Sequence, residues 1–213
     1  MQDATHTAKS MIIAAICGGL LLPLAGHADS SAPVQAGWKT QEIRYSYMGF
    51  TTAYDCDAAQ DRIKAILRTL GAHEQTRVSA QGCNLNRPSR NFFITITTAT
   101  PVPAADLTKT PAQTSRDDLL KRLKVAPAQL DETFPAQWKT VDLSRDRKLD
   151  LQPGDCELME GLRDNVLPKL SVKIQTDRVV CVPRQLSIQT PELTVSALVP
   201  MAKPDAVADK TKS

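Results

Sequence analysis

The chain is expected to fold as an α+β protein made of two tandem β-α-β-β units, each stapled by one disulfide and joined by a partly helical linker. Three observations predict this. Trp38 to Cys56 (WKTQEIRYSYMGFTTAYDC) returns 100 positions later as Trp138 to Cys156 (WKTVDLSRDRKLDLQPGDC). Trp38, Lys39, Thr40, Asp55 and Cys56 thus recur at identical spacing as Trp138, Lys139, Thr140, Asp155 and Cys156. After each Asp-Cys pair the pattern reads helical, then β-prone, with a second cysteine, Cys83 or Cys181, before a closing β-prone run. A period this long exceeds that of solenoid repeats and points to an internal duplication of a small unit.

Residues 1–28 read as a secretory signal, with Lys9 ahead of the apolar run MIIAAICGGLLLPLAGHA and Gly26-His27-Ala28 at the cleavage positions. Pro23 interrupts the run, which favours cleavage over a membrane anchor. No membrane span is expected after cleavage. The first unit is assigned to 29–103, the Pro-containing linker to 104–134, the second unit to 135–200 and a frayed tail to 201–213.

Within the first unit, Asp29 to Gly37 is polar and reads as a flexible lead-in. Ile43, Tyr45 and Tyr47 alternate with Arg44 and Ser46, as a half-buried strand does. Asp57 and Gln60 resemble a capping box for a helix whose stripe is Ala59, Ile63, Ile66, Leu67 and Leu70, stopped by Gly71. Arg77 to Ala80 is a second strand, NLNRPSRN (Asn84 to Asn91) a loop, and Phe92 to Thr97 the closing strand, with Pro101, Pro103 and Pro111 marking the exit from the first unit. In the linker, Ser115 and Asp118 could cap a short helix carrying Leu119, Leu120 and Leu123. In the second unit, Leu158, Met159, Leu162, Val166 and Leu167 predict a helix ending near Pro168. Val172 to Gln175 and Arg178 to Val182 carry β character, and Glu192 to Val199 closes the unit.

Loss of the leader removes Cys17 and leaves four cysteines in a chain bound for an oxidising compartment. Of the three possible connectivities, the repeat favours one bond per unit, Cys56 to Cys83 and Cys156 to Cys181. The net charge of +3 calls for neither a nucleic-acid nor a membrane partner.

Familiar catalytic chemistry finds little support. His6 and His27 leave with the leader, so only His73 remains and a multi-histidine metal site is excluded. There is no Gly-x-Ser-x-Gly elbow, no Cys-x-x-Cys in the processed chain and no glycine cluster to cradle phosphate, so neither cofactor nor metal is expected. Asp55, Asp57 and Asp61 are better read as helix-start and solvated carboxylates than as acid/base catalysts.

One asymmetry is informative. Between the shared anchors the first unit has Tyr45, Tyr47, Phe50 and Tyr54, where the second has Arg145, Asp146, Arg147 and Lys148. Tyr45 and Tyr47 alternate as core residues do. Phe50 and Tyr54, near the turn before the helix, are the binding candidates, with Arg87 and Arg90 nearby.

The segment YSYMGFTTAYDCD, followed by an amphipathic helix and GCNLNRPSR, resembles a group of uncharacterised exported proteins of Gram-negative bacteria over Trp38 to Thr98. The resemblance implies export and brings no activity or catalytic residue with it. The expectation is a non-catalytic scaffold or binding protein of the periplasm, or of the medium, whose partner is an envelope protein or cell-wall polymer. The alternative is a hydrolase relying on carboxylates or on His73.

Overall fold

The computed structural model describes residues 32–83, 87–107 and 133–201. The leader, the linker helix expected near Ser115 to Leu123 and the tail beyond Met201 lie outside the described residues. In chain order the elements are β1 (Val34–Met48), α1 (Cys56–Thr69), β2 (Arg77–Gln81), β3 (Asn91–Pro103), β4 (Phe134–Asp142), α2 (Cys156–Asn165), β5 (Val172–Arg178) and β6 (Glu192–Pro200). Both halves contribute strand, helix, strand, strand. The six strands form one antiparallel sheet in the order β2-β3-β1-β4-β6-β5.

The halves meet where β1 pairs with β4 through Val34–Ala136, Gln35–Pro135 and Ala36–Phe134. This register is centred on two residues 100 positions apart, the offset of the repeated Trp-Lys-Thr. Beyond it the two antiparallel strands run apart along the sheet, β1 to Met48 and β4 to Asp142. Yet Ile43, Ile94 and Ile96 share one core cluster with Leu143, Leu193 and Val195. The sheet therefore curls around both helices.

Side-chain periodicity explains each element. In β1, Ile43, Tyr45 and Tyr47 face the core while Arg44, Ser46 and Met48 face out. In α1, Ala59, Ile63, Ile66 and Leu67 form the buried stripe. In α2 the stripe is Cys156, Leu158, Met159 and Leu162. Ile66, Leu67 and Leu70 are buried, and so are their counterparts Val166, Leu167 and Leu170. Each such buried aliphatic side chain stabilises the fold by about 1.5–3 kcal/mol relative to exposure. Gly71 ends α1 at φ 87°, and a Cβ there would stand 2.8 Å from the Leu198 carbonyl oxygen. Both the left-handed backbone and the close approach require glycine. On the opposite face, at the junction, Ala36, Ala136 and Leu198 make a small second cluster with Phe134 and Trp138.

Both expected disulfides form, Cys56–Cys83 and Cys156–Cys181. Each ties the start of a helix to the chain that follows the unit's second strand, and closing such loops stabilises by about 3–4 kcal/mol in the chain-entropy picture.

Four local expectations are corrected. The lead-in placed at Asp29 to Gly37 is already strand from Val34, because Val34 to Ala36 pairs with β4. The capping box does not form: Asp55 is the N-cap without a side-chain cap bond, and Gln60 donates instead to Asp57 Oδ1 (3.1 Å). The closing strand, expected over Phe92 to Thr97, runs on as β3 through Pro101, paired with Trp38, and ends at Pro103, paired with Ala36. The β2 ladder stops at Thr97, so β3 has an open side there that can receive prolines without an N–H. Finally, β5 ends at Arg178, and Val179 to Val182 belongs to the loop before β6.

Candidate functional site

The loop after β1 is the meeting point of the two halves. Glu157, in the first turn of α2, accepts hydrogen bonds from three successive backbone amides: Phe50 N–H (3.0 Å), Thr51 N–H (3.1 and 3.2 Å) and Thr52 N–H (3.2 Å). Three convergent amides form an anion-binding concavity, and here a carboxylate of the chain itself fills it. Tyr47 donates its hydroxyl to the Thr52 carbonyl (3.0 Å), and Gly49 N–H donates to the Arg90 carbonyl (2.6 Å). The loop backbone is thus held from three sides.

Tyr54 crosses the same seam. Its hydroxyl donates to Asp155 Oδ1 (2.6 Å) and approaches the carbonyl of Gly154, the residue 100 positions on (3.4 Å). Asp155 is buried, also accepts Gln152 N–H (2.8 Å), and faces the Arg62 guanidinium at 3.7 Å. Arg62 also donates to the Leu149 carbonyl. Its counterpart Asp55 is exposed. Tyr45, Tyr47 and Tyr54 all have phenol pKa values pushed well above the ordinary range, in each case chiefly by burial. For Tyr54 the hydrogen bond to Asp155 adds to it, and for Tyr47 the charges of Glu157 and Asp155 do.

Pinning the loop displays Phe50. Its side chain is 52% exposed and Met48, two residues before it, 63%. Both line a cleft of about 180 Å³ whose opposite wall is Glu157, Glu160, Gly161 and Asp164 of α2, closed by Cys181 and Pro183. Gly161 leaves room for the Tyr45 ring, which a Cβ would meet at 3.4 Å. Arg163 lies beside the acidic wall, pairing with Asp164 (2.7 Å), Glu160 (3.6 Å) and Asp177 (3.4 Å). Exposed Phe93 stands opposite Ser46 on the same sheet face and widens the apolar border.

The four residues singled out from sequence are therefore divided. Phe50 points outward at the cleft, Tyr54 is committed to the seam, and Arg87 and Arg90 lie on the neighbouring loop before β3. Arg90 reaches the site through its carbonyl and through its charge near Tyr47. Sequence reasoning missed Met48 and the α2 carboxylates, which gather only when the two halves fold together. His73 lies just past α1, its Nδ1 accepting Gln75 N–H (3.1 Å) and its ring edge-on to Trp38 (4.9 Å). Among the described residues no group of three or more His, Cys, Asp and Glu is placed to hold a metal ion.

A second, wider cleft of about 670 Å³ lies near Arg145, Leu151, Arg178 and Gln189. Its arginines are paired with Asp142 (3.4 Å) and Glu192 (3.1 Å), so its charge is largely balanced from within. No protein-family model, no curated protein and no solved structure matches this chain.

Proposed function

We propose that the chain is an exported, non-catalytic binding protein of the bacterial envelope that arose by internal duplication and recognises an envelope protein through Phe50 and Met48. The observation that carries this reading is the exposure of both side chains on a loop whose backbone is fixed by Glu157, Tyr47 and the Arg90 carbonyl. A rigidly presented aromatic and a methionine are favoured interface anchors because they contribute contact area at low entropic cost. The adjoining cleft is smaller than the 300–1,000 Å³ or so of most small-molecule sites, which suits one side chain of a partner.

Export to the periplasm, or to the medium, is supported by the leader pattern and is compatible with two disulfides. Among the described residues no helix is long and apolar enough to cross a membrane. The duplication is supported by the register at Gln35–Pro135 and by the contact of Tyr54 with Gly154, two places where residues 100 positions apart meet, as they would about a two-fold axis.

The test is crosslinking capture from envelope extract with the disulfide-bonded chain, comparing the parent with Phe50→Ala and Arg87→Ala variants of matched thermal stability. A protein held by the parent and released at least tenfold more readily by Phe50→Ala supports the reading. Capture of a cell-wall polymer instead, or equal capture by all forms, overturns it.

A further inference from the structure

The β5–β6 connection, Val179 to Pro191, is long for a hairpin loop; Val179 is buried at its base, and four apolar side chains beyond it are exposed. Ile188 is 90% exposed, Val180 76% and Leu186 67%, and Val182 is also exposed. The loop is nonetheless firmly based: Arg163 Nη1 donates to the Val179 carbonyl (2.8 Å), and Cys181 is bonded to Cys156 at the head of α2. From that base Val182 to Gln185 makes a β-turn closed by Gln185 N–H to the Val182 carbonyl (3.1 Å). Arg184 sits in it at φ 65°, a conformation non-glycine residues rarely adopt.

Two properties indicate what this tip meets. Its exposed apolar groups are aliphatic, and valine and leucine are under-represented among the energetic anchors of protein interfaces, where Trp, Tyr and Arg dominate. Hydrocarbon makes no such distinction. The charge is one-sided as well: no carboxylate occurs between Arg178 and Glu192, and Arg184 at the turn makes no ion pair among the described residues. A short apolar tip carrying an unpaired cation matches the layering of an anionic bilayer surface, phosphate outside and acyl chain beneath.

We infer that the Val180–Ile188 tip is a membrane-contact loop that inserts Leu186 and Ile188 among the acyl chains of an anionic bilayer while Arg184 engages lipid phosphate. The tip borders the Phe50 cleft through Cys181 and Pro183, but Arg184, Leu186 and Ile188 do not line that cleft, and the inference stands if that reading fails.

The test uses the full chain with both disulfides formed and a Leu186→Trp reporter, mixed with vesicles of equal phosphatidylglycerol and phosphatidylcholine or of phosphatidylcholine alone. The parent is run in parallel to subtract Trp38 and Trp138. The reporter's emission should shift to the blue on the anionic vesicles and be quenched by brominated acyl chains. Adding Arg184→Gln should weaken partitioning about fivefold, and adding Ile188→Ser should weaken it more than about tenfold. An unchanged emission on anionic vesicles overturns the inference even if another part of the chain holds it at the membrane. So does equal insertion into both lipid mixtures, or a blue shift that follows protein concentration without lipid, which would make a second copy the occupant.

Discussion

The three tyrosines of the chain, Tyr45, Tyr47 and Tyr54, are all in the first half and all protected from ionisation. Their raised folded pKa values mean that the native state holds phenol protons that the unfolded chain releases near its ordinary value of about 10. The stability they contribute is complete below that pH and is lost as pH rises above it. Absorbance at 295 nm should therefore show almost no phenolate in the native protein above pH 10, with all three tyrosines appearing together as the fold melts. A gradual titration of one or two of them in intact protein would contradict the packing. Tyr45 and Tyr47 were legible in sequence as core because they alternate with Arg44 and Ser46. The commitment of Tyr54 was not, because its partner Asp155 lies 101 positions away and its periodicity carries no sign of it.

At the scale of elements, α2 is joined to the loop after β1 by the single carboxylate of Glu157. Truncation to alanine should destabilise the protein by about 2–3 kcal/mol, since charge-assisted bonds are lost and three amides lose their acceptor. Glu157→Gln, which keeps an oxygen acceptor for part of the set, should cost about half as much. Urea unfolding with unchanged slope measures both, and equal effects of the two changes would remove charge from the explanation. Local elements were largely readable, since helix stripes, strand alternation and cysteine placement are short-range properties. The first residues of β1 were not: Val34 to Gly37 has the composition of a lead-in and becomes strand only by pairing with β4, a century of residues later. The extension of β3 from Thr97 to Pro103 was hidden for a related reason, since whether a strand tolerates a proline such as Pro101 depends on which side of it is unpaired.

For the molecule as a whole, the repeat announced two units but not that they share one sheet and one core. Ile63 and Ile66 of α1 are buried in the same cluster as Leu158, Met159 and Leu162 of α2, so neither half encloses its apolar surface alone. Cleavage within the linker should leave a complex that still unfolds in one cooperative transition. Residues 29–107 expressed alone should lack the dispersed amide spectrum of the intact protein and regain it when residues 133–213 are added. A well-dispersed spectrum from the isolated first half would show the units to be independent. The three-residue pairing at the junction also fixes how the molecule can be held. Val34 and Pro200 lie on either side of Ala136, so the chain enters and leaves the sheet about 10 Å apart, two strand spacings. The nine residues of β6 then carry the chain roughly 30 Å between that exit and the aliphatic tip. Val34 and Pro200 therefore lie at one end of the sheet and the β5–β6 loop follows from the other, so a partner that grips the sheet beside Val34 and Pro200 would leave the Leu186 tip uncovered.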